Sequence, residues 1–302
     1  MNDASSTLEA WLTASPGMVR EAVSEEGRVV EQVPLAQGTY RLRIATPQLS
    51  RRIRPGQFFM LRLPDRDDPL LGRPFALYDV ARDPEAPPVA VDFVYHVIGK
   101  MTGLLSQAAP GEAVEVWGPL GNGFPTVPVE HLICVGGGIG YTPFLAVARE
   151  ASGQGAYGLP PRRWSPAPRR ITLCYGVRTR TLRADLADFA GIPGLDIRIA
   201  TDDGSEGRHG LVTDLLRELL TSTGESRAVF CCGPEPMMHA TARLCAAAGV
   251  PCWLSLETPM ACGFGACFSC VTKVKTAEAL GWDYRRTCVE GPIFDAQALM
   301  LE

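Results

Sequence analysis

The chain has 302 residues, a formal net charge of -4, 46% hydrophobic and 21% charged residues, and ten cysteines. That length asks for two to three domains, the near-average composition excludes disordered and fibrous classes, and the mild acidity argues against a nucleic-acid partner. No run approaches the ~18 to 20 apolar residues of a membrane span, and Met1 to Met18 lacks a basic start followed by an apolar core, so a cytoplasmic chain with reduced cysteines is expected.

Residues 1–20 read as an N-terminal extension. From about Val29 to Trp117 the chain alternates with period two. Tyr40, Leu42 and Ile44 interleave with Arg41 and Arg43, Val91, Phe93 and Tyr95 with Asp92 and Val94, and Val114 and Val116 flank Glu115. Separated by the turns Pro55-Gly56 and Pro110-Gly111, these runs predict an antiparallel sheet or small barrel over residues 21–126. Within it, Arg73-Pro74-Phe75-Ala76-Leu77-Tyr78 combines a cation, a rigid turn and aromatic surface, the means to clamp a flavin pyrophosphate and line its ring. Gly99-Lys100-Met101-Thr102 could hold the same phosphates. A surface salt bridge would account for Arg73 equally well. The run Gly118-Pro119-Leu120-Gly121-Asn122-Gly123-Phe124 is turn chemistry and a domain boundary.

From His131 the rhythm changes. Apolar strands at 131–135, 171–175, 196–200, 228–232 and 252–256 alternate with helical segments near 142–151, 182–190, 211–220 and 235–248. Such alternation predicts βαβ units and a parallel sheet, an α/β domain over residues 127–250. Its first strand runs into Val135-Gly136-Gly137-Gly138-Ile139-Gly140-Tyr141-Thr142-Pro143, small residues at a helix start where a pyrophosphate can approach. The spacing departs from G-x-G-x-x-G, since Tyr141 takes the third glycine position, and no acidic residue follows Tyr175-Gly176 to bind a ribose. Cys232-Gly233-Pro234 marks a second strand-to-helix turn on the same carboxyl edge, and together the two loops favour a dinucleotide site. Gly153 to Arg170, rich in Gly, Pro and Arg, reads as a solvated insertion, with a docking surface for an acidic partner as the alternative.

Residues 251–302 carry Cys262, Cys267 and Cys270 in the order C-x4-C-x2-C, with Cys288 following after 17 residues. Four thiolates suit a structural zinc or a [2Fe–2S] cluster; the spacing is that of plant-type iron–sulfur proteins rather than of paired zinc ribbons. Gly263 and Gly265 supply the backbone freedom to direct N–H groups at the sulfurs. The other six cysteines read as core packing.

Together these segments resemble the ferredoxin reductase superfamily, and within it the electron-transfer subunits of NAD-dependent dihydroorotate dehydrogenases. The resemblance runs from Val29 to the end. It rests on Pro55-Gly56-Gln57-Phe58, Arg73-Pro74-Phe75, Gly118 to Phe124, Gly136 to Pro143, Thr201-Asp202-Asp203-Gly204-Ser205, Cys232-Gly233-Pro234, Met260-Ala261-Cys262-Gly263 and Cys288-Val289-Glu290-Gly291-Pro292-Ile293-Phe294-Asp295. It implies FAD on the barrel at Arg73, Pro74, Phe75, Ala76, Val94, Tyr95, His96, Met101 and Thr102. It also implies NAD at Gly136, Gly137, Gly138, Gly140, Thr142, Cys232, Gly233 and Pro234, and a [2Fe–2S] cluster on the four C-terminal cysteines. Two positions depart from the family. Ala76 stands where relatives carry Ser or Thr, and Met101 where they tend to have Gly, which puts close backbone approach to the phosphates in question.

A nicotinamide exchanges hydride, the cluster exchanges single electrons and a flavin does both, so the order cluster, FAD, NAD follows from electron counting. His96, His131, His209 and His239 are scattered and read as structural, leaving no acid–base constellation for an organic substrate. Substrate oxidation is therefore expected on a partner. By resemblance this is an FMN-containing dihydroorotate dehydrogenase catalytic subunit in a heterotetramer serving pyrimidine biosynthesis. The competing readings are a flavin subunit of another NAD(P)H-linked ferredoxin or hydrogenase complex, and a zinc-stabilised nucleotide-binding module without redox activity.

Overall fold

The computed structural model describes residues 18–19, 21–83, 86–221 and 224–301; apart from Met18 and Val19, the N-terminal extension lies outside them. The first half of the chain forms β1 (Val23–Ala36), β2 (Thr39–Ala45), α1 (Pro47–Arg52), β3 (Phe58–Arg62), β4 (Arg73–Ala76), β5 (Asp79–Asp83), β6 (Ala86–His96), α2 (Lys100–Leu105) and β7 (Ala113–Leu120). The seven strands make one antiparallel sheet in the order β4-β3-β7-β1-β2-β6-β5, curled so that β4 returns against β6 in a barrel-like form. The period-two pattern is its cause: Leu42 and Ile44 are fully buried while Arg41 and Arg43 lie on the other face.

The second sheet has the order β11-β10-β9-β8-β12-β13-β16, built from β8 (His131–Gly137), β9 (Arg170–Val177), β10 (Leu195–Thr201), β11 (Arg208–His209), β12 (Arg227–Cys232), β13 (Cys252–Ser255) and β16 (Ile293–Asp295). Helices α3 (Phe144–Ala151), α4 (Val212–Thr221) and α5 (Glu235–Ala248) cover it. Every residue of β8 is buried, as an unbroken apolar strand between two parallel neighbours requires. Helix α4 buries Val212, Leu215, Leu216 and Leu219 along one stripe, and α5 stops at Gly249, whose φ of 65° forms a left-handed cap. The sheet is not wholly parallel: β16 joins β13 in the antiparallel sense. A separate hairpin, β14 (Val271–Lys275) with β15 (Trp282–Arg286), follows the clustered cysteines. Among the described residues no helix is long and apolar enough to cross a membrane.

Two expectations need correction. The helix expected at 182–190 is replaced by short 3-10 turns at Arg180–Leu182 and Ala187–Phe189. Between them the amide of Asp185 donates to Leu35 O of the barrel (2.8 Å) and that of Ala184 to the Tyr175 hydroxyl (3.3 Å), so neither serves an i→i−4 ladder. The 153–170 insertion is irregular as expected but is not simply solvated. Tyr157 is 2% and Trp164 9% exposed. The Tyr157 hydroxyl donates to Asp79 (2.6 Å), while Arg162 (2.7 Å) and Trp164 Nε1 (3.1 Å) donate to buried Glu150.

Candidate functional site

The carboxyl edge of the second sheet brings the two glycine loops together. Cys232 and Gly136 are register partners across β12 and β8, and a Cβ placed on Gly140 would lie 2.2 Å from Cys232 O. Gly137 and Gly233 meet on Met237 and on each other in the same way. These glycines therefore serve loop-to-loop approach. Gly138 differs: its φ is +56°, and a Cβ there would meet nothing within 4 Å, so this peptide stands open toward any ligand at the edge. Thr142 is buried just behind it. The edge lies where strand order reverses between β8 and β12, the position where open α/β sheets bind nucleotides. Burial pushes the Cys232 thiol up to about 12, against a hydrogen bond with Ser255.

On the barrel, Arg73 is exposed and, among the described residues, its Nη1 donates to Leu71 O (2.9 Å) and Gly72 O (3.1 Å). The aromatic surface expected beside it is turned inward. Phe75 packs at 4.6 Å on Phe93, and Val94 and Tyr95 are also buried, Tyr95 donating to Gln32 Oε1 (2.8 Å). These positions offer main chain, whereas Pro74, Ala76 and His96 keep partial exposure. His96 Nδ1 is bonded to the Thr39 hydroxyl (2.9 Å). Met101 is 4% exposed within the barrel core, so its side chain leaves the turn surface clear; Thr102 Oγ1 accepts the amides of Ile98 and Gly99 (3.1 Å each).

The four C-terminal cysteines are free thiols close enough to influence one another, Cys262 beside Cys267 and Cys270 beside Cys288, with Cys262 also acting on Cys288. Among the described residues no three His, Cys, Asp or Glu side chains converge on a point that could hold a single ion. Two thiol pairs suit the two irons of a [2Fe–2S] cluster. The backbone fits as well, with Gly263 and Gly265 at φ of +79° and +98°. Hydrogen bonding with the Ser269 hydroxyl (3.1 Å) and amide draws the exposed Cys267 thiol down to about 6, which favours the thiolate, the ligating form. Burial holds Cys288 above the ordinary thiol range.

The barrel carries this loop. Trp117 Nε1 donates to Cys262 O (2.8 Å), and Gly121 N to Cys288 O (3.0 Å). Asn122 clasps the segment from both sides of its amide, Nδ2 donating to Glu290 O (3.1 Å) and Ile293 O (2.8 Å), Oδ1 accepting from Ile293 N (3.1 Å). In the sequence Asn122 reads only as turn chemistry, and Trp117 carries no local signal of this role. Met60 in β3 links the two sites: a Cβ on Gly263 would lie 2.5 Å from its Cγ, and Met60 is the register partner of Pro74 in β4. The cysteine loop and the Arg73–Ala76 strand thus flank a single strand.

Comparison with known proteins agrees with this geometry. Residues 257–300 match the iron-sulfur cluster binding domain of dihydroorotate dehydrogenase B, and residues 134–243 an oxidoreductase NAD-binding domain. The dihydroorotate dehydrogenase B (NAD(+)) electron transfer subunit of Geobacillus sp. (strain WCH70) is 33% identical over 280 residues, 92% of this chain and 98% of the relative. That of Clostridium acetobutylicum is 33% identical over 275 residues, 91% of this chain and 96% of the relative. Among solved structures, an NADH-dependent reduced ferredoxin-NADP oxidoreductase studied for flavin-based electron bifurcation superposes with TM-score 0.74 at 28% identity, covering 91% of this chain and 90% of that one. The ferredoxin reductase of carbazole 1,9a-dioxygenase shares the fold with TM-score 0.63 at 21% identity, covering 76% and 67%. With relatives matched over nearly their whole length, the chain belongs to the family of dihydroorotate dehydrogenase B electron transfer subunits.

Proposed function

We propose that this chain takes electrons from an FMN-containing dihydroorotate dehydrogenase catalytic subunit and delivers them to NAD+, as a cytoplasmic component of pyrimidine biosynthesis. Its resident groups are a [2Fe–2S] cluster on Cys262, Cys267, Cys270 and Cys288 and an FAD on the barrel. FAD supplies the exchange between single electrons and hydride. The chain's own residues do the positioning. Arg73, with no carboxylate partner among the described residues, is available to a diphosphate, and the main chain at Ala76, where no hydroxyl is present, offers only an N–H to the ring. Gly138 opens the nucleotide edge, with Cys232 and Pro234 behind it. We assign residues 21–126 to the flavin unit, 127–250 to the nucleotide unit and 251–302 to the cluster unit, the last lending β13 and β16 to the second sheet.

The observation that carries this reading is Met60, flanked by the cysteine loop and by β4, since an electron path needs its two stations adjacent. The purified chain, loaded with iron, sulfide and FAD, should be brown-yellow, bleach its flavin with NADH, and form no orotate from dihydroorotate until the catalytic subunit is added. Orotate production by the chain alone would refute the division of labour. The 28%-identical oxidoreductase favours a second reading, a subunit of another NAD(P)H-linked ferredoxin complex; the protein that co-purifies with this chain decides between them.

A further inference from the structure

Arg286 ends β15, two residues before Cys288, and its side chain is 11% exposed. It touches the cysteine loop on both sides of Cys267. Nη1 donates to Gly265 O (3.0 Å), between Cys262 and Cys267, and the guanidinium lies 4.5 Å from the ring centroid of Phe268, between Cys267 and Cys270. Phe268 itself has φ of +56°, a conformation that needs holding. Behind the guanidinium, Glu290 takes Nη2 (2.9 Å), Nε (3.4 Å) and the Arg286 amide (2.8 Å).

Through the Gly265 carbonyl Arg286 therefore pins the backbone between Cys262 and Cys267. A cation sheltered from water acts strongly on a neighbouring group that gains negative charge.

We propose that Arg286 is a positioning residue that sets the reduction potential of the cluster, with Glu290 as the opposing charge that limits its effect; this rests on the assignment of the four cysteines above. One electron adds one negative charge to the cluster, so the buried cation favours the reduced form and the carboxylate the oxidised form. The test is an EPR-monitored redox titration of the reconstituted chain beside its R286Q, R286K and E290Q variants, with iron and labile sulfide measured in each. R286Q should make reduction about tenfold harder, about 59 mV lower for one electron, and E290Q about tenfold easier, about 59 mV higher. R286K, which keeps the charge, should stay within about threefold of the parent. Shifts of the same sign in R286Q and E290Q, or an unmoved midpoint in E290Q, overturn the proposal. If R286Q fails to hold iron, the rise in E290Q and the constancy of R286K decide the matter. A parent chain that takes up no iron and sulfide would instead refute the ligand assignment, a separate result that removes the proposal with it.

Discussion

His131, at the start of β8, is fully buried. Its Nδ1 lies between Arg170 Nη2 (2.9 Å) and Glu225 Oε1 (3.2 Å), and its Nε2 faces the Thr172 hydroxyl (2.9 Å). Burial, then the charge of Arg170, lower its pKa to about 4, against Glu225. The unfolded chain takes up a proton near pH 6.5 that the folded chain refuses until about 4. Its contribution is thus complete above pH 6.5 and is lost as pH falls from there toward 4. The urea midpoint should fall across that window, and His131→Gln, which stays neutral, should flatten the fall. Identical slopes for the two proteins would contradict this account. The same residue shows what composition leaves open: a lone histidine in an apolar strand reads as structural, but its partners Arg170 and Glu225 come from elements far along the chain.

At the scale of elements, the glycine loops behave as one interlocked unit. Gly140→Ala would place a methyl carbon 2.2 Å from Cys232 O, and neither loop can yield without disturbing β8 or β12. The expected cost is about 1–3 kcal/mol of overpacking, read as a lower denaturation midpoint, with weaker NADH binding by fluorescence titration; unchanged stability would show that the loops move independently. Both loops were legible because strand-to-helix turns on a parallel sheet have a local signature, glycine and proline after an apolar run. The parallel strands were legible because burial on both faces leaves them apolar throughout. The 182–190 segment was not, since its helical pattern is overridden by bonds from Asp185 to Leu35 and from Ala184 to Tyr175, which no local rule contains. Met101 escaped for the same reason: only the curled sheet determines that its side chain enters the core rather than the turn surface.

At the scale of the molecule, the two sheets share a core and a polar clasp. Tyr78, Val94 and Phe124 from the barrel side pack into the cluster around Tyr141, Phe144 and Phe230, with Phe124 stacked 4.6 Å from Phe230. Around it, Asp188 accepts Arg41 Nη1 at 2.9 and 3.0 Å and the Tyr78 hydroxyl at 3.1 Å, while Asp79 takes Arg149 and Tyr157. Among the described residues Arg41 Nε has no hydrogen-bond partner, so the guanidinium depends on Asp188 and, through Nη2, on Glu31 (3.2 Å). Hydride exchange between a nicotinamide on one sheet and a flavin on the other needs a fixed separation, and a closed apolar interface supplies it where a wet one would permit relative motion. Asp188→Ala should therefore cost about 1.5–3 kcal/mol, the range for hydrogen bonds to charged groups, yet leave one transition, because the apolar contacts persist. Fluorescence, which reports the tryptophans, and far-ultraviolet circular dichroism, which reports both sheets, should give coincident curves in denaturant for parent and variant alike. Separated curves in the parent would mean that the barrel and the nucleotide sheet unfold independently, and that the interface does not set the distance the chemistry requires.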